Sequence, residues 1–360
     1  MRGGTSNGLM IHRSDLPSGV TRWQPILSAA MGSPDSFGRQ LNGMGSGISS
    51  TSKICVVENS SRPGIDVEYT FVQVGIKDGH LDMAGSCGNM SSAVGPFAFD
   101  EGLIKAKSIA SVGNSREITV RMFNTNTSKV IDSTFAVAAD RPCFDHCGDY
   151  SIDGVPGQGS RITLSFLDPE GSKTGRVLPT GKPIDLLRLP NGRAIHASLI
   201  DIANPGVFVL ASEVGVPGDT HPDTLSTDTQ LMADLEVIRQ TGAKAMGLDP
   251  AVQSIPKIVL LSPPTPDEVK HGINIVCRAL SMQQPHKAVP LTLALNLGAT
   301  CRIPGTLAEQ IAVGAEGKTS VTIAHASGKL EVGSVMRGGR VENALLHRTA
   351  RVLMKGHVFY

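Results

Sequence analysis

Three side chains in this sequence stand where they could move a proton: Cys87, Lys53 and His286. Cys87 follows a Gly-Ser break and precedes a small-residue and apolar run, 90–98, which predicts a helix buried on all sides. A cysteine at a helix N-terminus meets unpaired backbone N–H groups and the positive end of the helix dipole, which favour the thiolate and attract a carboxylate. The sequence therefore indicates acid–base chemistry on an anion.

Lys53 and His286 sit at comparable breaks. Lys53 ends a loop rich in glycine and hydroxyl residues and starts a predicted strand, and the glycine spacing of this loop fits no nucleotide-binding motif. His286 precedes a second apolar helix, predicted over 288–301. Strand, polar break, reactive side chain and apolar helix thus occur twice. This repetition predicts two pseudo-equivalent domains, each with a sheet around a central helix.

Each of these residues also has a structural interpretation. Cys87 would then be a small residue that packs a helix start, and Lys53 a solvated lysine at a strand end. For His286, a catalytic role and a role in satisfying backbone groups before the helix stay equally open. Arg278, near the end of another predicted strand, would either hold a substrate carboxylate or form a surface ion pair.

Two weaker motifs are interpreted as loops. Cys143-Phe-Asp-His146-Cys147 offers metal ligands, but a C-x3-C spacing without a second ligand pair is more typical of a surface loop. His325 and Ser327 lie in a stretch of Ala, Ser and Gly that is also typical of a turn. We expect no metal or cofactor.

Length and composition restrict the class of protein. With 360 residues the chain is long enough for two domains. Lys plus Arg number 33 against 32 for Asp plus Glu, without a dense basic run, so nucleic acid and anionic membranes are poor partners. Six irregularly spaced cysteines indicate reduced thiols, and no apolar stretch is long enough to span a membrane or to form a signal peptide, so we expect a cytoplasmic location.

Hydrophobic patterning predicts strands alternating with few helices, which argues against a doubly wound parallel sheet. A change toward Gly, Pro, Lys and Thr near 171–188 marks the domain crossing. The clearest surface helix is predicted over 226–246, with a Thr227–Gln230 capping box. The remaining predicted helices are 26–31, 90–98 and 288–301, and the predicted strands are 54–57, 67–76, 117–124, 130–137, 161–166, 194–200 (joined to the next through Asn204-Pro205), 206–210, 255–261 and 273–280.

Ten segments spread in order over the chain resemble the PrpF family of aconitate, methylitaconate and 4-oxalomesaconate isomerases. The matching segments are MRGGTS (1–6), MGSPD (31–35), STSK (50–53), VEYTFVQV (67–74), CGNMSSAVGPFA (87–98), IDGVPG (152–157), KTGRVLPTG (173–181), DIANPGVFV (201–209), RALSM (278–282) and HASGKLEV (325–332).

The resemblance implies an α+β, diaminopimelate epimerase-like fold with two pseudo-equivalent domains, each a mixed, curled, barrel-like sheet around a central hydrophobic helix. We assign the domains to 1–184 and 185–360, with the C-terminal strand free to return to the first. Members of the family usually carry a short strand before MRGGTS, so this chain is expected either to lack that strand or to derive from a truncated gene model.

The resemblance also implies roles for individual residues. Lys53 and Cys87 correspond to the pair proposed to move protons in this family. The residues expected to bind substrate are Thr5, Ser6, Ser52, Gly88, Asn89 and Met90 in the first domain and Asn204, Arg278, His286, Ser327 and Gly328 in the second. Asn7 and Ser86 depart from the family pattern, which has lysine and asparagine there, and the departures bear on which substrate is used.

The expected activity is a cofactor-independent isomerisation by allylic proton transfer in a small unsaturated di- or tricarboxylate such as aconitate. The alternatives are keto–enol tautomerisation of 4-oxalomesaconate, isomerisation of methylitaconate, and a non-catalytic carboxylate-binding protein. The expected partner is the polycarboxylate itself, with a homodimer as a candidate assembly. Racemisation is disfavoured because His286, and not a second cysteine, occupies the break in the second half.

Overall fold

The computed structural model describes residues 1–104, 110–112 and 115–360 and divides the chain into two compact units. The first unit contains residues 1–165 and 347–360, and the second contains residues 166–346. Residues 166–184, which the sequence analysis assigned to the first domain, thus belong to the second unit, and the C-terminal segment returns to the first.

The first unit is a mixed sheet with one helix buried within it. Its elements are β1 (Arg2–Gly3), β2 (Ser6–His12), α1 (Trp23–Met31), β3 (Lys53–Asn59), β4 (Val67–Val74), β5 (Leu81–Asp82), α2 (Gly88–Asp100), β6 (Ala110–Val112), β7 (Ser115–Asn124), β8 (Lys129–Val137) and β9 (Ile162–Leu167). β2 pairs parallel with β3 and β4 parallel with β7, whereas β3–β4 and β7–β8 are antiparallel.

The second unit repeats this arrangement. Its elements are β10 (Asp185–Arg188), β11 (Ala194–Ile202), β12 (Asn204–Leu210), α3 (Pro222–Thr227), α4 (Thr229–Ala245), β13 (Lys257–Ser262), α5 (Pro266–Lys270), β14 (Ile275–Ser281), β15 (Gln284–Pro285), α6 (Leu291–Thr300), α7 (Leu307–Ile311), β16 (Ser320–His325), β17 (Gly328–Arg337) and β18 (Arg340–Arg348). The last two residues of β18 and all of β19 (Ala350–Arg351), which pairs with β1, belong to the first unit. β12–β13 and β14–β16 are parallel, and β13–β14 and β16–β17 are antiparallel.

The two units therefore share one order of strand pairings around a central helix. Residues 88–98 of α2 and all of α6 are buried, as expected for helices that are apolar all round. The register matches as well, because Gly8 lies opposite Lys53 in the first unit and Gly206 opposite Lys257 in the second. The predicted α+β class, with a mixed curled sheet around a hydrophobic helix in two pseudo-equivalent units, is confirmed.

Strand alternation decides which side chains of the first unit face α2. Ile54, Val56, Val72 and Val74 form one core cluster with Trp23, Leu27 and Met31 of α1. Because successive side chains of a strand point to opposite faces, Lys53 and Cys55 on β3 and Gln73 on β4 lie on the other face. That face is the one that α2 covers.

The surface helix predicted over 226–246 is wrong in its start and its cap. The chain forms α3 and α4 instead, and Asp228 between them caps α4 by accepting a hydrogen bond from the amide of Leu231 at 2.9 Å. The hydroxyl of Thr227 donates to the carbonyl of Thr224 inside α3. Aspartate is the stronger N-cap residue, so the Thr227–Gln230 capping box does not form.

Two further predictions near the second central helix are corrected. The helix predicted over 288–301 begins at Leu291 with Pro290 as its N-cap, so His286 lies outside it, just after β15. Asn204 and Pro205 are the first residues of β12 and not a connection; the turn is at Ala203, whose φ is +61°. No helix within the described ranges is long and apolar enough to cross a membrane.

Replacing Asp228 by alanine tests the corrected helix start. The variant Asp228→Ala removes the N-cap acceptor and is expected to lower the free energy of unfolding by about 1 kcal/mol. Thr227→Ala is the matched control and is expected to change it by less than about 0.5 kcal/mol. Thermal unfolding of both variants gives the comparison. A larger loss of stability in Thr227→Ala than in Asp228→Ala would instead support Thr227 as the N-cap.

Candidate active site

Lys53 is held inside the first unit by the strand register. The ladder places Gln73 directly opposite Lys53, and the Lys53 Nζ donates a hydrogen bond to the Gln73 Oε1. The Gln73 Nε2 in turn donates to the carbonyls of Ser49 at 3.2 Å and Ser52 at 2.9 Å. On the other side a Cβ at Gly8 would lie 2.4 Å from the Lys53 carbonyl oxygen, so only glycine fits there. These contacts fix the lysine at the start of β3.

The Lys53 side chain is 6% exposed, which excludes a solvated lysine at a strand end. Burial lowers the pKa of Lys53 below its ordinary value of 10.5, and Coulombic interactions with Cys87 and Cys55 oppose that shift. Burial also raises the pKa of the Cys55 thiol. Lys53 thus interacts electrostatically with the cysteine at the helix start, and its amine loses a proton more easily than an exposed lysine does.

Cys87 is the N-cap of α2, as predicted, and its side chain is only partly buried. Its carbonyl accepts hydrogen bonds from the amide of Ser91 at 2.9 Å and the hydroxyl of Ser91 at 3.0 Å. No side chain caps the helix, and within the described chain the amides of residues 88–90 have no hydrogen-bond acceptor. The start of α2 therefore presents unpaired N–H groups beside a thiol, a suitable site for an anion.

Thr5 and Asn89 join the N-terminal loop to the start of α2. The Thr5 amide donates to the Asn89 Oδ1 at 3.3 Å, and the Asn89 Nδ2 donates to the Thr5 hydroxyl at 3.1 Å. The loop can approach this closely because Gly4, with φ of +51°, has no Cβ; one would lie 2.1 Å from the Asn89 Oδ1. The Asn89 side chain is thus occupied by the protein, and its backbone amide is the group left for a ligand.

The other residues expected in the first half also lie around α2. Ser6 is 2% exposed on β2, and Met90 is fully buried beside Gly8. The Ser52 hydroxyl donates to the Gln40 Oε1 at 2.7 Å, so it supports the loop before Lys53. Asn7, one of the departures from the family pattern, is exposed and on the opposite face of β2 from its neighbours.

In the second unit Asn204 and Arg278 are tied to protein groups. The Asn204 Nδ2 donates to the Thr292 hydroxyl at 3.0 Å, near the start of α6. The Arg278 Nε donates to the Thr220 carbonyl at 2.8 Å and its Nη1 to the Cys277 carbonyl at 2.9 Å. These acceptors are carbonyls, so the described contacts of Arg278 do not include the surface ion pair that the sequence left open.

His286, Ser327 and Gly328 lie in connections of the second unit. The His286 Nδ1 accepts a hydrogen bond from the amide of Ala288 at 3.0 Å, which agrees with its structural interpretation. The Ser327 hydroxyl donates to the Lys287 carbonyl, and Gly328 opens β17. The second unit thus places Asn204 near α6 through a side-chain hydrogen bond to Thr292, and Ser327 near His286 through the Lys287 carbonyl.

The loop at Cys143–Cys147 offers one partial ligand set. Asp145, His146 and Cys147 have ligand atoms within 4.8 Å of one another, and His146 and Cys147 are exposed. Three consecutive residues, two of them exposed and one partly buried, agree with the surface loop predicted from the sequence.

One cavity of the first unit lies away from the start of α2. It measures about 590 Å³ and lies against β2, α1 and residues 352–360, with Leu9, Ile11 and Phe97 among its apolar walls. Neither Lys53 nor Cys87 lines it. We place the candidate site at the first turn of α2 because the proton-bearing groups and unpaired donors are there.

Two residues of this site were missed by the sequence analysis: Gln73, the acceptor for Lys53, and Arg348, whose Nε donates to the Asn89 Oδ1 at 3.3 Å. Both are buried strand residues. In β18 the buried residues are Val341, Ala344, Leu346 and Arg348, and the last three alternate, so a period-of-two search for polar residues at inward positions would have found the arginine.

The structure so far defines a two-unit α+β protein in which the start of a buried helix carries amides without acceptors. Comparison with known proteins agrees. The family model described as PrpF protein matches residues 1–360, and the chain belongs to the PrpF family.

The relatives carry named activities. The chain is 37% identical over 362 residues to the (4E)-oxalomesaconate Delta-isomerase of Novosphingobium sp. (strain KA1), covering 100% of this chain and 96% of that protein. It is 35% identical over 382 residues to the 2-methyl-aconitate isomerase of Shewanella oneidensis, covering 99% and 95%. The solved structure of methylitaconate-delta-isomerase covers 99% of this chain and 92% of its own, with 34% identity and a TM-score of 0.76.

The buried amine of Lys53 predicts a pH dependence of stability. Its pKa in the folded protein lies below 10.5, so the unfolded chain binds more protons and wild type gains stability as the pH rises toward 10.5. Lys53→Met lacks this gain. The free energy of unfolding of the variant minus that of wild type should therefore fall between pH 7 and pH 10.

Urea unfolding at the two pH values measures this difference. Lys77→Met, which removes an exposed lysine of the same unit, is the control and should show no comparable change. A difference for Lys53→Met that stays constant with pH would contradict the lowered pKa.

Proposed function

We propose that the protein is an isomerase that shifts a double bond in a small unsaturated di- or tricarboxylate by allylic proton transfer, with Lys53 and Cys87 as the proton-transfer pair. The observation that carries the proposal is the buried lysine coupled to a half-buried thiol at the N-terminus of α2. Membership of a family whose relatives are named isomerases of such acids supports the same reaction class.

The chemistry requires a base and a set of donors for developing negative charge. Removing an allylic proton from carbon sends the C–H electron pair through the double bond into the carboxylate, which becomes an enolate-like dianion. Unpaired amides of residues 88–90, together with the hydroxyls of Thr5 and Ser6, are the available donors for that charge. Protonation at the far carbon of the allyl unit completes the shift.

Lys53 and Cys87 suit these two proton-transfer steps because they share a low-dielectric site. A thiolate with an ammonium and a thiol with an amine carry the same total charge, so the pair can exchange the roles of acid and base. Gln73 holds the amine in place by accepting its hydrogen bond. In the proposal one group takes the allylic proton, and the pair returns a proton at the distal carbon. All of these groups are supplied by the protein.

Proton NMR in D2O tests the reaction class and the substrate together. We expect deuterium to enter an allylic position of one acid among cis-aconitate, trans-aconitate, methylitaconate and 4-oxalomesaconate. Lys53→Ala and Cys87→Ser should each lower the exchange rate by about 10³-fold, since each removes a positioned proton-transfer group. Cys147→Ser changes an exposed cysteine of the same unit and should exchange as wild type does.

Each arm of that experiment can contradict the proposal. Full exchange by Lys53→Ala or by Cys87→Ser removes that residue from the pair. A folded wild-type protein that exchanges deuterium into none of the four acids contradicts the isomerase assignment, and a binding role would then be the better explanation.

A charge placed next to Lys53 tests which protonation state acts. Gln73→Glu puts a carboxylate against the amine and raises the pKa of Lys53. If the neutral amine is the base, the acidic limb of the kcat profile moves to higher pH by about one unit or more; if the ammonium is the acid, the alkaline limb moves instead. Gln158→Glu, at an exposed position, is the control. Two unmoved limbs would exclude Lys53 from the titrating groups.

A further inference from the structure

The first unit contains a buried arginine at the start of α2. Arg348 is 5% exposed, and its Nε donates to the Asn89 Oδ1 at 3.3 Å. Its Nη1 donates to the carbonyl of His347 at 3.0 Å, and its Cδ would lie 3.1 Å from a Cβ at Gly4. The guanidinium is therefore packed against the same helix turn that carries the unpaired amides.

This arginine has no counter-ion in the described part of the chain. Arg121 binds both oxygens of Asp132 at 2.7 Å, and the buried Arg239 is paired with Glu236. For Arg348 the described ionisable group that acts on it is the phenol of Tyr150. Burial lowers the pKa of Arg348 to about 10, so the group stays charged at neutral pH. A buried cation without an anion is unfavourable, and a bound anion relieves that cost.

Two donors at this turn lack acceptors. The Arg348 Nη2 donates no hydrogen bond to any described residue, and the atom is not completely enclosed. The Ser6 hydroxyl is fully buried and also has no partner among the described residues. Ser6 lies opposite Gly3, whose missing Cβ would lie 2.5 Å from the Asn89 carbonyl oxygen, so the hydroxyl is on the α2 face of the strand.

We propose that Arg348 is a substrate-binding residue that holds a carboxylate of the acid at the first turn of α2, a carboxylate other than the one that accepts the electrons during proton transfer. The planar guanidinium fork suits this carboxylate, while the amides of residues 88–90 and the Ser6 hydroxyl remain the donors for the carboxylate that takes up the electrons. Lys53 and Arg348 then give one unit two fixed cationic side chains. This arrangement selects acids with at least two carboxylates over monocarboxylates.

This inference deepens the proposed function, and its test is a binding measurement that needs no turnover. The probe is tricarballylate, a saturated tricarboxylate that cannot undergo allylic isomerisation, with butyrate as the monocarboxylate. By isothermal titration calorimetry, Arg348→Met is expected to bind tricarballylate at least about 30-fold more weakly than wild type. Its weaker binding of butyrate should be unchanged, so the preference for the tricarboxylate is lost. Arg121→Met, an arginine already paired with Asp132, should keep both affinities.

A second variant keeps the test decisive if Arg348→Met folds poorly. Arg348→Lys retains a cation but loses the fork, and it should bind tricarballylate with intermediate affinity. Millimolar guanidinium should restore part of the affinity of Arg348→Met, which a purely structural role for Arg348 would not allow.

The outcomes separate the two proposals. A folded Arg348→Met or Arg348→Lys protein that binds tricarballylate as tightly as wild type overturns this inference, and so does a wild-type protein that does not bind it. If wild type binds tricarballylate in an Arg348-dependent manner but exchanges deuterium into none of the unsaturated acids, the proposed isomerase activity fails while the role of Arg348 stands.

Discussion

The burial of the Lys53 ammonium is the constraint around which the first unit is arranged. A charged amine cannot be taken out of water without compensation, and here the compensation comes from the hydrogen bond to its strand partner Gln73 and from the Coulombic interaction with Cys87. Those groups are themselves positioned by sheet register and by a central helix that must be apolar to fill the sheet. The chemistry of the site thus depends on packing that looks unrelated to it.

The start of α2 shows how the protein divides its polar groups between structure and ligand. The Asn89 side chain is used to fasten the N-terminal loop to the helix, while the helix amides remain without acceptors in the described chain. Because no side chain caps α2, the helix gives up stabilisation that an N-cap usually provides. A negatively charged ligand bound at the helix start would supply the stabilisation that the missing N-cap does not.

The sequence was sufficient for the periodic features and for the cysteine at the helix start. All nine predicted strands are present, because the alternation of Val, Ile and aromatic residues with polar ones marks the buried face of a strand. The two-residue strands β1, β5, β15 and β19 were not predicted, because two paired residues leave no periodicity to detect. The longer strands β2, β6, β10, β16, β17 and β18 were not predicted either. Arg348 was not recognised as a site residue because its partner Asn89 is 259 positions away along the chain, and only the folded sheet brings the two together. The false capping box at Thr227 arose where two adjacent residues both could cap and the stronger one prevailed.

The duplicated topology is not matched by duplicated chemistry. Lys257 occupies the position in β13 that Lys53 occupies in β3, but the N-cap of α6 is Pro290, which carries no thiol, where α2 has Cys87. Under the proposed function both proton-transfer groups belong to one unit and are neighbours. If both groups face the same side of a flat allylic acid, the double-bond shift is suprafacial. A proton removed from one carbon could then be delivered to the other without leaving that face, which distinguishes this arrangement from a racemase that must address two opposite faces.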